Sequence, residues 1–231
     1  MRILVTGGGS EEPIDNVRAV CNFSTGRTSA FLADFFAGLG HEVTEIVSER
    51  AVKAQKARLL TYKTFAQLAS TLESECRNGA YDLIVHAAAV SDYSPYQIVV
   101  DGKEYECGSV SKVPAGAELV VKMKKNPKLV DSLKLWSGDK TKVIAFKLTS
   151  NASGSERKAA VKKVFDANEN HLLSPDFVVS NDLSEIKGDS HPCVIYGRQM
   201  EEAAVAGDLT GLAEAILKLA DGPEMELKKW F

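Results

Sequence analysis

Short apolar runs alternate with segments of helical period along this sequence of 231 residues, and that alternation restricts the fold more than any other feature. Between the first two runs, apolar residues recur at helical spacing and Gly40 stands where such a helix would end. Strands that are apolar on both faces and separated by amphipathic helices predict an α/β fold, a Rossmann-like three-layer sandwich with a mainly parallel sheet. The strand-like runs are residues 3–5, 43–47, 59–62, 83–85, 119–121, 143–146, 177–179 and 193–196.

One stretch departs from the alternation. Within residues 97–105, two strand-like runs are separated by the dipeptide Asp101-Gly102. This pattern is a strong signal for a β-hairpin. The hairpin lies in a segment without helical period, residues 94–116, and we expect this segment to be a flap over the site or a dimerisation arm within a single domain, residues 1–231. Asn126-Pro127 predicts a further short helix, with the asparagine as its cap, that buries Leu129, Val130 and Leu133.

Composition excludes several classes of protein. A formal net charge of -3 gives no general attraction to nucleic acid or to an anionic membrane. No apolar run approaches the roughly 20 residues of a membrane span, and no leader precedes the first strand, so we expect a cytoplasmic protein. The four cysteines are scattered without a CxxC pair, which favours reduced thiols and no structural metal. Cys21, beside the glycine-rich segment, is a candidate nucleophile without a nearby histidine in the sequence.

The residues that follow the predicted strands carry the chemistry, because ligands bind at the carboxyl ends of parallel strands. Gly7, Gly8 and Gly9 precede Ser10 after the first strand, and their small size favours a phosphate or nucleotide contact over a simple tight turn. The other positions of this kind are residues 86–92, Phe146 with Lys147, and residues 180–182.

Two common phosphate motifs fail when they are counted along the chain. A GxGxxG fingerprint starting at Gly7 needs a glycine at position 12, where Glu12 would repel a pyrophosphate. A P-loop needs a glycine at position 21, where Cys21 stands, and Arg27 replaces its lysine. What remains is a polar loop, residues 22–28, that runs into a helix amino terminus, where free N–H groups favour an anion or where its hydroxyl side chains act as caps.

These residues form a familiar combination. ILVTGGGSEEPID at 3–15, VR at 17–18 and NFSTG at 22–26 resemble the opening signature of phosphopantothenoylcysteine synthetases, also called phosphopantothenate-cysteine ligases. AAAVSDY at 87–93 resembles the nucleotide loop of that family, and KMKKNP at 122–127 its lysine-proline segment. IAFKL at 144–148 and VVSND at 178–182 resemble its later strand and its last site loop. The motifs follow the family order over most of the chain, and the length resembles the free-standing ligase without a flavin-dependent decarboxylase domain.

The resemblance implies an enzyme of coenzyme A biosynthesis that activates the carboxylate of 4'-phosphopantothenate with a nucleoside triphosphate and releases pyrophosphate. The amine of cysteine then attacks the acyl-nucleotide intermediate. The family implies Mg²⁺ as cofactor, CTP or ATP as co-substrate, no flavin and a homodimer. Sequence alone does not choose between the two nucleotides.

The same resemblance assigns site residues. Asn22 corresponds to the family asparagine that contacts the acyl-nucleotide, and its amide can stabilise an oxyanion. Arg18 matches an arginine at the pantothenate end. An asparagine in a turn and an exposed arginine are the alternatives for these two positions. The remaining expected contacts are Ala88 and Ala89 for substrate, and Gly7, Gly8, Gly9, Ser10, Asp92, Phe146, Lys147 and Asn181 for nucleotide, with core packing as the alternative for Phe146.

One departure from the family pattern concerns a flap lysine. Members carry Lys-Ile-Lys-Lys or Lys-Ile-Ser-Ser here, whereas this chain has Ser109-Val-Ser-Lys112. We expect Lys112 to supply the catalytic cation, with Lys103 as the alternative. A homologue with reduced catalysis, acting as a binding or regulatory subunit, stays open. An NAD(P)-dependent oxidoreductase is disfavoured, because none of the six tyrosines has a lysine four residues later.

Overall fold

The computed structural model describes residues 1–108, 112–116, 118–167, 173–188 and 190–222. In chain order its elements are β1 (Arg2–Gly7), β2 (Glu11–Pro13), β3 (Ala19–Cys21), α1 (Arg27–Gly38), β4 (Glu42–Ser48), β5 (Arg58–Tyr62), α2 (Phe65–Asn78), β6 (Leu83–His86), β7 (Tyr93–Val100), β8 (Lys103–Glu106), β9 (Leu119–Lys125), a 3-10 turn (Leu129–Ser132), α3 (Leu133–Ser137), β10 (Lys142–Thr149), α4 (Gly154–Phe165), β11 (Phe177–Asp182), β12 (Ser190–Gly197), β13 (Glu202–Asp208) and α5 (Leu209–Asp221).

The main sheet runs in the order β13-β12-β11-β10-β6-β1-β4-β5. The six strands from β11 to β5 pair in parallel, and β12 and β13 complete one edge in antiparallel pairing. A parallel strand needs cover on both faces, and the helices supply it. The predicted Rossmann-like sandwich with a mainly parallel sheet is confirmed.

Alternate residues of each central strand enter different cores. Ile3 and Val5 of β1 face α1 and α5, whose buried side chains include Phe36 and Ile216. Leu4, between them, faces α2 and α3. The phenyl ring of Phe36 is fully buried, which contributes roughly 2–3 kcal/mol relative to an exposed ring.

Local signals set the ends of two helices. Thr64 caps α2 through the N–H of Gln67, whose side chain accepts from the Thr64 N–H in return. Gly40 follows α1 with a φ of 87°, in the left-handed region that glycine adopts without strain. Both signals agree with the helical periods in the sequence.

An antiparallel sheet stands apart from the main one, with strand order β8-β7-β9, and we call it the arm. Its β7–β8 turn is Asp101-Gly102, with φ of 48° and 81°, as a type I′ turn requires. The predicted hairpin is therefore present. The run at 119–121 begins β9 of the arm rather than a strand of the main sheet, and Leu119 and Val120 are exposed.

The prediction of a helix capped by Asn126 is wrong. The segment stays extended through Lys128, the 3-10 turn begins at Leu129, and α3 begins only at Leu133. Leu129 and Leu133 are buried as predicted. The Asn126 amide is instead committed to contacts with residues that precede and begin β7, which competes with capping.

The cysteines are free thiols: Cys21 is exposed, Cys107 is half-buried, and Cys76 and Cys193 are buried. Among the helices in the described ranges, none is both long enough and apolar enough to cross a membrane.

Candidate active site

A broad cleft of about 2030 Å³ opens at the carboxyl ends of β1, β6, β10 and β11. This is the edge at which an open parallel sheet binds ligands. Most of the residues singled out in the sequence line it: Gly8, Asn22, Ala88, Ala89, Asp92, Phe146, Lys147 and Asn181.

The glycine loop, residues 7–10, forms one wall of the cleft. The hydroxyl of Tyr62, on β5, lies 3.0 Å from the Gly7 carbonyl and 3.1 Å from the Gly8 carbonyl. Burial raises the pKa of Tyr62 well above its usual value, so the hydroxyl stays a donor. Tyr62 thus fixes the loop from beneath.

Close packing explains why glycine occupies these positions. A Cβ on Gly7 would lie 1.7 Å from Ser29 Oγ, and one on Gly9 would lie 2.0 Å from the Asn22 carbonyl oxygen. Gly8 has a φ of 78° and is the member of the three glycines that lines the cleft. Ser10 is fully buried and its Oγ accepts from the Ser91 N–H at 3.0 Å. Gly7, Gly9 and Ser10 therefore shape the wall from behind.

The alanine loop, residues 86–92, forms the facing wall. His86 ends β6, and its Nδ1 lies 2.8 Å from Thr6 Oγ1, which in turn accepts from the Ala88 N–H at 3.2 Å. Burial lowers the pKa of His86 to about 4. A neutral His86 thus shares one hydrogen bond with the Thr6 hydroxyl, whose oxygen also holds the Ala88 N–H.

Asn22 joins the two walls. Its main-chain N–H donates to the Ser10 carbonyl at 3.2 Å, and its Nδ2 donates to the Val90 carbonyl at 3.1 Å. The following residues turn at Gly26, with a φ of 72°, into α1, whose first turn lines the cleft. The free N–H groups at this helix end and the Asn22 amide can meet a negatively charged ligand.

The far side of the cleft carries an aromatic ring, a cation and a buried amide. Phe146 and Lys147, at the end of β10, are half-buried and line the cleft beside Asn181 of β11. Asn181 Nδ2 lies 3.1 Å from Nε2 of His191, and burial lowers the pKa of that imidazole. Asn181 Oδ1 is buried without a hydrogen-bond partner in the described ranges. Such an acceptor is satisfied when a ligand brings a donor.

Two predicted residues lie elsewhere. Arg18 does not line the cleft: its Nη2 donates to Asp15 Oδ2 at 2.6 Å and to the Val113 carbonyl at 2.9 Å. The Val113 N–H and the Arg18 guanidinium hold the pKa of Asp15 well below its usual range. This clamp fixes the chain next to Lys112, which is exposed and outside the cleft lining. Ser109 lies outside the described residues.

The other charged candidates have protein partners. Asp92, at the cleft rim, pairs with Lys128. The alternative cation, Lys103, lies on β8 of the arm, with its Nζ 5.4 Å from the centre of the Tyr105 ring. Glu12 is buried and turned from the cleft, because its Oε1 accepts from the Phe65 N–H at 2.7 Å. The repulsion of a phosphate expected at this position does not arise.

Sequence reasoning assigned no role to Tyr62, Thr6 or His191. Tyr62 reads as the last apolar residue of a strand, and nothing local signals that its hydroxyl reaches residues 7 and 8. Thr6 and His86 could be seen in the sequence at the ends of two strands, but the pairing of those strands, which sets the two residues side by side, comes from the structure. In the described part of the chain, no group of three or more His, Cys, Asp or Glu residues is placed to hold a metal ion.

The family profile for the DNA/pantothenate metabolism flavoprotein C-terminal domain matches residues 1–221. The coenzyme A biosynthesis bifunctional protein CoaBC of Thermococcus kodakarensis is 29% identical over 198 residues, which cover 85% of this chain and 45% of that protein. The CoaBC of Methanocaldococcus jannaschii is 27% identical over 221 residues, covering 94% and 49%. The chain thus spans about half the length of these relatives.

Solved structures agree in fold. A DNA/pantothenate metabolism flavoprotein from Streptococcus pneumoniae gives a TM-score of 0.80 at 24% identity, covering 96% of this chain and 98% of that one. A Cab2 mutant in complex with phosphopantothenate-cysteine gives 0.75 at 17% identity, covering 95% and 86%. The match over residues 1–221 confirms the resemblance found in the motifs: this chain belongs to the DNA/pantothenate metabolism flavoprotein C-terminal domain family, the phosphopantothenoylcysteine synthetase domain of coenzyme A biosynthesis.

Proposed function

We propose that this protein joins 4'-phosphopantothenate to L-cysteine through an acyl-nucleotide intermediate, with CTP or ATP as the activating nucleotide and pyrophosphate as a product. The observation that carries the proposal is the meeting of Asn22, the alanine loop and Lys147 in one cleft at the carboxyl ends of the strands. These groups come from separate segments and offer amide, main-chain N–H and cationic donors, which suits a reaction between two anions.

In the first half-reaction, a carboxylate oxygen of phosphopantothenate attacks the α-phosphorus of the nucleotide. The bond from that phosphorus to the bridging oxygen breaks, and pyrophosphate leaves. Lys147 and the N–H groups at the start of α1 are the donors in the cleft that offset the phosphate charge. Lys112 is the proposed flap cation, and the Asp15–Arg18 clamp at Val113 anchors the segment that bears it.

In the second half-reaction, the cysteine amine attacks the acyl carbon. The nucleoside monophosphate leaves with the bonding electrons, and the amine loses a proton. Negative charge develops on the acyl oxygen during attack, and the Asn22 amide is placed between the two walls to stabilise it. The alanine loop is the proposed seat of the acyl group, because its small side chains let a ligand approach the main chain.

We propose that Mg²⁺ enters this site as a companion of the triphosphate. Mg²⁺ in nucleotide sites is bound by phosphate oxygens, water and one or two carboxylates. Carboxylates that line the cleft include Asp34, Asp92 and Asp208, but among the described residues no three His, Cys, Asp or Glu side chains are grouped to hold a metal ion, so the phosphates would supply most of the ligands. When bound, the ion would neutralise charge on the phosphates during transfer.

The base subsite favours a base with an amino group. Asn181 Oδ1 is a buried acceptor without a protein partner in the described ranges, and Phe146 offers a ring nearby along the cleft lining. Cytosine and adenine both carry an exocyclic amine, whereas uracil carries a carbonyl at the matching position. UTP should therefore support the reaction less well than CTP.

The test mixes the protein with 4'-phosphopantothenate, cysteine, Mg²⁺ and CTP or ATP, and measures pyrophosphate and product. We expect release with one nucleotide. Asn22→Ala should nearly abolish product formation, because it removes the oxyanion donor. Lys112→Gln should impair activation itself, and normal turnover in that variant would remove Lys112 from its proposed role without affecting the rest.

The second candidate is a binding or regulatory homologue with impaired catalysis. The exposed position of Lys112, away from the cleft lining, favours it. Nucleotide binding without pyrophosphate release from the same mixture would support this reading and contradict the ligase. A homodimer and a cytoplasmic location belong to the proposal as well, and sedimentation of the purified protein tests the dimer.

A further inference from the structure

Two sequence features have no part in the chemistry proposed above: Glu12 and Asn126. The structure brings both residues to the base of the arm, where the alanine loop leads into β7 and where the chain leaves the arm after β9. With Ser91 and Ser94 they form a cluster that we call the polar junction. Glu12, Ser91 and Asn126 are each at least 94% buried, so their polar atoms depend on one another rather than on solvent.

Asn126 is the centre of the polar junction. Its Nδ2 donates to the Ser91 carbonyl at 3.0 Å and to Ser94 Oγ at 2.8 Å. Its main-chain N–H donates to the Asp92 carbonyl at 2.8 Å. Asn126 follows β9 directly, so one residue at the base of the arm holds three positions, Ser91, Asp92 and Ser94, of the connection from loop to arm.

Ser94 links the two other side chains of the junction, because its Oγ lies 3.0 Å from Glu12 Oε2 and 3.2 Å from Asn126 Oδ1. The shorter of these two contacts is the one in which the Ser94 hydroxyl donates to Glu12. Ser94 Oγ then accepts from the Asn126 amide, and the Ser91 carbonyl, which can only accept, turns the nitrogen of that amide toward it. Glu12 Oε1 accepts from the Phe65 N–H at 2.7 Å and ties the cluster to the start of α2.

The junction continues into the cleft walls. The Ser91 N–H donates to Ser10 Oγ at 3.0 Å, and the Ser10 N–H donates to the Ala89 carbonyl at 3.2 Å. Beyond Ser94, the β7–β9 register shifts between Pro95 and Gln97, so the regular pairing of the arm is interrupted just past this point. Pairing continues on both sides of that shift and ends with Tyr93 opposite Lys125, so the Asn126 contacts extend the link between the strands into the alanine loop.

We propose that Asn126 is a positioning residue that holds the alanine loop to the base of the arm, so that loop and arm keep one orientation relative to the cleft. Its effect on turnover rests on the proposed function. Its effect on the ligand-free protein does not.

Hydrogen exchange of the ligand-free protein tests the proposal directly. Asn126→Ala removes the side-chain bonds to Ser91 and Ser94, and amides of residues 86–94 and 119–125 should exchange about tenfold to a hundredfold faster together. Amides of β4 and β11 should keep their wild-type rates. Asn126→Asp should not rescue, because it sets a carboxyl oxygen against the Ser91 carbonyl where a donor is needed. The matched control is Asn78→Ala, since Asn78 also donates to a main-chain carbonyl, at the end of α2.

A merely structural role predicts a different result: exchange would rise across β4 and β11 as well, in step with the loss of global stability. Unchanged exchange in the alanine loop of folded Asn126→Ala would also overturn the proposal. If that variant does not fold, hydrogen exchange of Ser94→Ala tests the same proposal. This substitution removes the link to Glu12 and leaves the main-chain hydrogen bond between Asn126 and Asp92.

Kinetics supply the second readout. The polar junction lies behind the alanine loop, while the base subsite at Asn181 lies across the cleft. In Asn126→Ala, kcat/KM for phosphopantothenate should fall about tenfold, with KM for the nucleotide within about twofold of wild type. An equal rise of both KM values at unchanged kcat would contradict a positioning role. Absence of turnover in the wild-type protein would refute the proposed function and leave the exchange result to decide the role of Asn126.

Discussion

Substitution of Gly9 by alanine tests the contact between the glycine loop and Asn22. An alanine Cβ at this position would lie 2.0 Å from the Asn22 carbonyl oxygen, and real Cβ contacts do not come under 3.0 Å. One of the two segments must therefore move by about 1 Å. No positive φ is involved at Gly9, so the substitution changes the available space rather than the preferred backbone conformation.

The movement has a calculable consequence for the site. Asn22 is tied to the Ser10 carbonyl at 3.2 Å and to the Val90 carbonyl at 3.1 Å, and a shift of this size breaks both contacts. Displacement of a catalytic group by about 1 Å costs on the order of a hundredfold in rate. We therefore expect Gly9→Ala to lower product formation about a hundredfold and to lower pyrophosphate release in the absence of cysteine by less.

The assay compares single-turnover pyrophosphate release with amide product formation, and thermal unfolding is followed on the same samples. The matched control is Gly207→Ala, because a Cβ on Gly207 meets nothing within 4 Å. It should retain wild-type rates. A folded Gly9→Ala variant with wild-type product formation would refute the argument that Gly9 makes room for Asn22.

Two further predictions concern the groups behind the walls. Tyr62→Phe leaves the Gly7 carbonyl without its buried donor and should lower the free energy of unfolding by about 1–2 kcal/mol in urea titrations; an unchanged midpoint would contradict this. His86 has a folded-state pKa of about 4 against 6.5 for a free imidazole, so the unfolded chain takes up a proton first as the pH falls. Its share of the free energy of unfolding, about 3 kcal/mol, is present above pH 6.5 and lost on going down to pH 4. In His86→Asn the side-chain amide can still form a hydrogen bond with the Thr6 hydroxyl, and this part of the pH dependence should vanish.

The spacing of apolar residues predicted the helices and strands whose buried face is clear from the sequence. The helices with apolar stripes and the parallel strands follow directly from residue spacing, and the Asp101-Gly102 turn needs only two adjacent positive φ values. β13 was missed because its sequence, EAAVAGD, is rich in alanine and glycine, which have low strand propensity. It becomes a strand by pairing with β12, a tertiary contact that local sequence does not encode.

The sequence identified motif residues that line the cleft, but it could not show the partners that distant segments bring to the other residues. Asn126 satisfies the sequence rule for a helix cap, but its amide donates to Ser91, 35 residues away. Glu12 was taken as repulsive because its direction is invisible in the sequence. Arg18 binds Asp15 and a main-chain carbonyl 95 residues away, and no spacing rule contains that distance.

The four cysteines differ in exposure, and this difference allows one of them to be labelled as a reporter of ligand binding. Burial raises the pKa of Cys76 to about 12 and that of Cys193 to about 11, so these two side chains remain protonated at mildly alkaline pH. Cys21 is exposed and immediately precedes Asn22. A maleimide dye should therefore attach first at Cys21, and its fluorescence would follow occupancy of the neighbouring wall in the natural sequence, without an introduced cysteine.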